Sequence, residues 1–187
     1  MDPLSVLGAA GSVVGIASFG LQLGKILYCY ADEARSAKTS LELIQGGIQS
    51  TSAALHQLHN LLKNEFENLE KGRASLLFTP KALDDVKDTA DKCMLIFWRI
   101  EGTIKNECDA KFEKSLGKKL VDFNKQVQDN IQLEPIKIKV TWTIRRNLHF
   151  PFITSKLEGF GRQLQNLQIS LLLMLSIINL GAQSRKP

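Results

Sequence analysis

The chain has 187 residues, 44% of them apolar and 23% charged; these are globular values, and they exclude a disordered or collagen-like chain. The length suits one domain that buries its own core. The net charge of +5 conceals an asymmetry, with 11 basic and 14 acidic side chains in residues 1–110 but 13 and 5 in residues 111–187. The second half is therefore either able to attract anionic lipid head groups or nucleic acid, or is a plain solvated surface.

In chain order, the first segment is the most unusual. Residues 3–24 carry no charge and contain Gly8, Gly11, Gly15, Gly20 and Gly24. At about 100° per residue on a helix, Gly8, Gly11, Gly15, Ser18 and Gln22 share one narrow stripe. Most of the bulky side chains, Val6, Leu7, Val13, Val14, Ile16, Leu21 and Leu23, lie elsewhere on the circumference. Gly11 and Gly15, then Gly20 and Gly24, have the spacing that lets helix backbones approach closely, as in membrane-helix dimers. Each interior glycine costs roughly 0.8–1 kcal/mol of helix propensity against alanine, so five of them need a reason. Two remain open: tight packing inside a bundle, or insertion into a bilayer, for which residues 4–24 have about the needed length. A secretory leader is disfavoured, because no basic residue precedes Lys25. A phosphate loop is disfavoured too, because no strand fits in the seven residues ahead of Gly8.

Four later segments repeat a 3-4 apolar spacing. The first runs Leu41, Ile44, Ile48, Thr51, Leu55, Leu58, Leu62, Glu65, Leu69, and the second Leu83, Val86, Ala90, Cys93, Phe97, Ile100, Ile104. A looser one runs Phe112, Leu116, Leu120, Phe123, Val127, Ile131, and the last Leu157, Phe160, Leu164, Leu167, Leu171, Met174, Ile178. Such seams belong to antiparallel helical bundles. Gly72 marks a helix stop, and Thr79-Pro80 a helix start with Asp84 and Asp85 close behind. From Ile169 to Leu180 the last helix is apolar nearly all round, which predicts the central helix of the bundle. Residues 136–144 alternate as a strand would, but no second strand-like run exists to pair with them. Residues 133–152, with Pro135, Trp142 and Pro151, therefore read as an irregular connector.

Motifs for chemistry are scarce. His56 and His59 are neighbours on one helix but lack a third ligand at fixed spacing. Asp84, Asp85, Asp88 and Asp91 interleave with Lys81, Lys87 and Lys92 and read as a solvated face near a helix start. Cys29, Cys93 and Cys108 are an odd set without C-x-x-C spacing, expected as reduced thiols in an intracellular protein. No nucleotide, hydrolase or zinc motif is present. The reading is a non-enzyme with no cofactor and no metal.

The opening from Met1 to Leu23, Met-Asp-Pro-Leu-Ser-Val-Leu-Gly-Ala-Ala-Gly-Ser-Val-Val-Gly-Ile-Ala-Ser-Phe-Gly-Leu-Gln-Leu, resembles the start of many fungal NOD-like receptor (STAND-type) proteins. There an N-terminal effector domain precedes a nucleotide-binding NACHT module and repeats. Residues 142–152 and the Leu-rich helix from Leu157 to Leu180 also look like the closing part of such domains. Within that group the likeness is to HeLo-like domains. The resemblance implies a helical cell-death effector that oligomerises, releases its N-terminal helix and permeabilises the plasma membrane. It places the membrane-active segment at Leu4 to Leu23. Against that pattern, the 187 residues are read as holding no NACHT module and as leaving no room after Gly181 for a prion-forming motif. The trigger, a NOD-like receptor or an amyloid-type signal, is therefore expected on another chain or in a missing region.

Together these readings give an all-α, antiparallel bundle of about five helices, at roughly 4–30, 33–70, 80–109, 111–132 and 153–181, forming one domain over 1–187. The function expected is that of a membrane-targeting, pore-forming effector of fungal immunity or allorecognition (heterokaryon incompatibility), cytoplasmic at rest and at the plasma membrane when active. Membrane insertion and helix packing are assigned to Leu4, Val6, Leu7, Gly8, Gly11, Val14, Gly15, Phe19, Gly20, Leu21 and Gly24. Head-group contact is assigned to Lys118, Lys119, Lys137, Lys139, Arg145 and Arg146, each worth about 1 kcal/mol near an anionic surface. At rest, the glycine stripe is expected to seat the first helix on the bundle. The expected partners are anionic lipids and further copies of the chain, with no nucleic acid. The rival is a soluble helical adaptor that binds a partner helix or itself.

Overall fold

A computed structural model describes residues 2–33, 38–72, 78–105 and 150–183. They form four helices: α1 (Pro3–Glu33), α2 (Lys38–Glu70), α3 (Pro80–Lys105) and α4 (Phe150–Gln183). No strand occurs among them, so the fold class is all-α. The expected helix at 111–132 and residues 133–149 of the expected connector lie outside the described residues. The last three residues assigned to that connector are helical, since α4 begins at Phe150 and places Pro151 in its first turn. Proline is tolerated there, because its missing N–H would have no intrahelical acceptor.

The helix ends follow local chemistry. Asp2 caps α1: its carboxylate accepts from the Ser5 backbone N–H at 3.1 Å, the Ser5 hydroxyl at 3.0 Å and the Leu4 N–H at 3.4 Å. With Pro3 behind it, this is a strong start signal. Thr79 does the same for α3, its Oγ1 accepting from the Ala82 N–H at 3.1 Å. At the end of α2, Gly72 adopts φ 68° and its N–H reaches the Leu69 carbonyl at 3.0 Å. That left-handed turn suits glycine and closes the helix.

The helices form a ring. α1 packs on α2 and α3, α4 packs on α2 and α3, and α1 stands diagonally across from α4. The largest interface is α1 on α2. They run antiparallel, since Ala10 meets His59 while Gly20 meets Ser52 and Gly24 meets Gln49. α4 departs from the antiparallel expectation by running with α2: Ser40 donates to Glu158 at 3.1 Å, and Ile44 lies against Gly161. This direction also keeps Leu171, Leu175 and Ile178 alongside the bundle, where they are buried.

Among the described residues the core holds the expected seams of α2 and α3, Leu157, Leu164, Leu171 and Ile178 of the last seam, and one face of α1; the seam expected over 112–131 lies outside the described residues. On α2, Leu41, Ile44, Ile48, Leu55, Leu58 and Leu62 are buried, together with Thr51, Ser52 and Glu65. Thr51 and Ser52 enter the core because their hydroxyls donate to the Gly47 and Ile48 carbonyls, both at 2.8 Å, which satisfies them within their own helix. On α3, Val86, Ala90, Cys93, Phe97, Ile100 and Ile104 are buried, and Phe97 meets Phe19 of α1 at a centroid distance of 6.3 Å.

One fold expectation is corrected. Among the described residues α4 is not the central helix. It buries Leu157, Leu164, Leu171, Leu175 and Ile178 but exposes Ile169, Leu172, Leu173, Ile177 and Leu180. A helix that is apolar all round announces two apolar faces without saying that both are covered.

Candidate functional site

The candidate segment is the charge-free part of α1. The site residues assigned there divide by face. Val6, Gly20 and Gly24 are buried, and Val14, Phe19 and Leu21 are half-buried. Leu4, Leu7, Gly8, Gly11 and Gly15 are exposed. The buried face also includes Val13, Ile16, Leu23, Ile26 and Leu27.

This overturns the expectation that the Gly8-Gly11-Gly15 stripe seats α1 on the bundle. A Cβ built at any of these three meets nothing within 4 Å. The helix turns its bulky residues inward, because burying Val and Ile side chains yields far more than backbone proximity does. The smooth stripe is left facing outward. Close packing belongs to the second glycine pair. A Cβ on Gly20 would overlap Ser52 Oγ and sit 2.5 Å from Phe97 Cε2, and one on Gly24 would sit 3.3 Å from Gln49 Cγ.

The outward face of α1 from Leu4 to Gly15 is thus Leu, Gly and Ser, with no charge beyond Asp2. A helix that only completes a soluble core ordinarily carries charged residues on this face. By length and composition, Pro3–Cys29 is able to cross a membrane, and so is Ser155–Gly181 of α4. The weight of that observation lies in its pairing with the uncharged outer surface, because many core helices pass the same test.

Burial holds α1 in place. Val6, Val13, Ile16, Leu23, Ile26 and Leu27 are each 7% exposed or less. At about 1.5–3 kcal/mol per large apolar side chain, withdrawing them into water costs on the order of 10 kcal/mol. His59 adds a polar tie. Its Nδ1 lies 3.0 Å from the Ala10 carbonyl oxygen; a carbonyl only accepts, so Nδ1 carries the proton and donates. His56 stacks edge-on against His59, with ring centroids 6.0 Å apart. Both histidines are half-buried, with His59 at the α1–α2 interface and His56 beside it. Among the described residues, no group of three or more His, Cys, Asp or Glu is arranged to hold a metal ion.

The other assigned positions separate cleanly. Asp84, Asp85, Asp88 and Asp91 are all exposed, the solvated face expected of them. Cys29 and Cys93 are buried and not in disulfides, and burial pushes the Cys93 thiol up from 9.0 to about 12. Lys118, Lys119, Lys137, Lys139, Arg145, Arg146, Trp142 and Cys108 lie outside the described residues. The reading missed Asp2 as the α1 cap, although Asp before Pro is a legible signal. It also missed the outward face of α4. No family model, no curated protein and no solved structure matches this chain. The class that stands is a helical bundle.

Proposed function

We propose that the chain is a membrane-acting effector domain in which α1 is the segment that enters the bilayer. The observation that carries this reading is the uncharged outward face of α1, from Leu4 through Gly8 and Gly11 to Gly15, on a helix whose inward face is also apolar. Over residues 3–24 no side of this helix carries a charge that requires water. The resemblance of residues 1–23 to the openings of fungal NOD-like receptors supports the same assignment, and with it a role in regulated cell death.

The energetics set the mechanism. Leaving the bundle costs on the order of 10 kcal/mol. On insertion scales each Leu, Ile, Phe or Val returns only about 0.3–0.6 kcal/mol, which is a few kcal/mol for residues 3–24. Release of α1 from a lone copy is therefore unfavourable, and the remainder must come from self-association. In this scheme a trigger on another chain gathers copies, α1 enters the membrane, and Gly11/Gly15 form helix–helix contacts there. The cytoplasmic resting state, the move to the plasma membrane and the docking of Lys118, Lys119, Lys137, Lys139, Arg145 and Arg146 on anionic head groups belong to the same proposal. So does the absence of enzymatic, cofactor and nucleic-acid roles.

The test is dye release from anionic liposomes by the wild type and by a Gly11→Glu/Gly15→Glu variant. Both positions face open space, so the variant folds and keeps its thermal stability. A charge at the centre of an inserted helix costs several kcal/mol, so release is expected to vanish. Equal release by both proteins would remove α1 from the mechanism.

A further inference from the structure

The outward face of α4 is the largest feature that the α1 reading leaves unused. Ile169, Leu172, Leu173 and Ile177 stand on it at 52%, 47%, 59% and 68% exposure. Their spacing of three and four makes one continuous ridge. Between them lie the exposed Ser170 and Ser176, whose hydroxyls donate to the Asn166 and Leu172 carbonyls of their own helix at 3.1 and 2.8 Å. Even the polar residues of the ridge therefore have local hydrogen-bond partners.

Three observations choose the occupant. Residues 163–183 of α4 contain no charge, a run of about 31 Å at roughly 1.5 Å per residue. Its flanks are basic on balance: Lys156 and Arg162 are exposed on the N-terminal side together with one acid, Glu158, which accepts a hydrogen bond from Ser40, and Arg185 and Lys186 follow in sequence. Finally, the large side chains of the ridge are all aliphatic, whereas the anchors of protein–protein interfaces are enriched in Trp, Tyr and Arg. An aliphatic ridge in a run flanked in sequence by four basic residues and one acid matches a layer of acyl chains beneath anionic head groups.

We infer that the α4 ridge is a membrane-docking surface of the intact bundle, which lies on an anionic bilayer with Ile169, Leu172, Leu173 and Ile177 in the head-group–acyl boundary. Docking through α4 opens nothing in the core, because Leu164, Leu171 and Leu175 stay on the opposite side of the helix. It also needs no movement of α1, which stands diagonally across the bundle. The choice of lipid as occupant rests in part on the membrane reading of α1, but the contact itself does not use α1.

The experiment is flotation of the full chain with vesicles of mixed phosphatidylcholine and phosphatidylserine. A Leu173→Glu/Ile177→Glu variant is compared with a Leu43→Glu/Ser50→Glu control, which adds the same charge to exposed positions of α2. Thermal stability and solution mass are measured for each. The expected result is a loss of about tenfold or more in vesicle partitioning for the α4 variant alone, with its stability and mass unchanged. Absence of flotation by the wild type overturns the inference, as does equal flotation by both variants. A wild-type dimer that the α4 variant splits, with vesicle binding intact, would give the ridge to a second copy. A steep loss of stability in the α4 variant would give it to residues 106–149 of this chain. The Gly11→Glu/Gly15→Glu protein separates this surface from the α1 reading, since it should still float while releasing no dye.

Discussion

The two glycine pairs of α1 should respond to alanine in opposite directions. At Gly11 and Gly15 the added methyl meets open space, so only the backbone term acts. Each substitution should stabilise the bundle by about 0.5–1 kcal/mol, or roughly 1–4 °C in Tm for a chain of this size. At Gly20 the same propensity gain is overwhelmed. The methyl would overlap Ser52 Oγ and lie 2.5 Å from Phe97 Cε2. Phe97 is fully buried and cannot swing away freely. Ser52 can move only by giving up its 2.8 Å bond to the Ile48 carbonyl, worth about 1 kcal/mol. Overpacking adds about 1–3 kcal/mol. After the helix gain is subtracted, Gly20→Ala should destabilise by about 1–3 kcal/mol and lower Tm by roughly 3–10 °C. Thermal and urea denaturation of the three single variants decide the matter. If Gly20→Ala proves as stable as the wild type, or Gly11→Ala loses as much as Gly20→Ala, the described seating of α1 is wrong.

Other residues give sharper readouts. With its thiol pushed up to about 12, Cys93 should react with a disulfide reagent at pH 8 at least about 100-fold more slowly than a free cysteine, until the chain unfolds. Because the unfolded thiol loses its proton near 9.0, the unfolded state binds fewer protons above that pH. The Cys93 contribution should therefore make stability fall between about pH 9 and about 12, by up to about 1.4 kcal/mol per pH unit, and Cys93→Ala should flatten that slope. Asp2→Ala removes the α1 cap and should cost about 0.5–2 kcal/mol, with faster hydrogen exchange at the Leu4 and Ser5 amides and little change for Asp2→Asn. Gln22 Oε1 is enclosed with no hydrogen-bond partner among the described residues. Gln22→Met should therefore raise stability by about 1–2 kcal/mol, and a lower Tm would show that the amide is satisfied.

The seams on α2 and α3, the stop at Gly72 and the start at Thr79 were determined by the sequence alone, because each rests on local periodicity or local hydrogen bonding. The same holds for the charge-free run of α1, which is a property of composition. What the tertiary structure decided is which face goes inward. Gly8, Gly11 and Gly15 look like a packing strip in isolation, yet they face outward because Val13 and Ile16 fill the interface with α2 and α3. Gly20 carries the close approach instead, and nothing in its own sequence context distinguishes it from Gly15. Only the positions of Ser52 and Phe97, on two other helices, make that difference. α4 shows the same limit: its leucines are apolar on every side, and the partners available to it cover only the side bearing Leu164, Leu171 and Leu175. Periodicity specifies that a helix has an apolar face. The choice among several such faces depends on volumes contributed by distant residues, and is settled only when the helices meet.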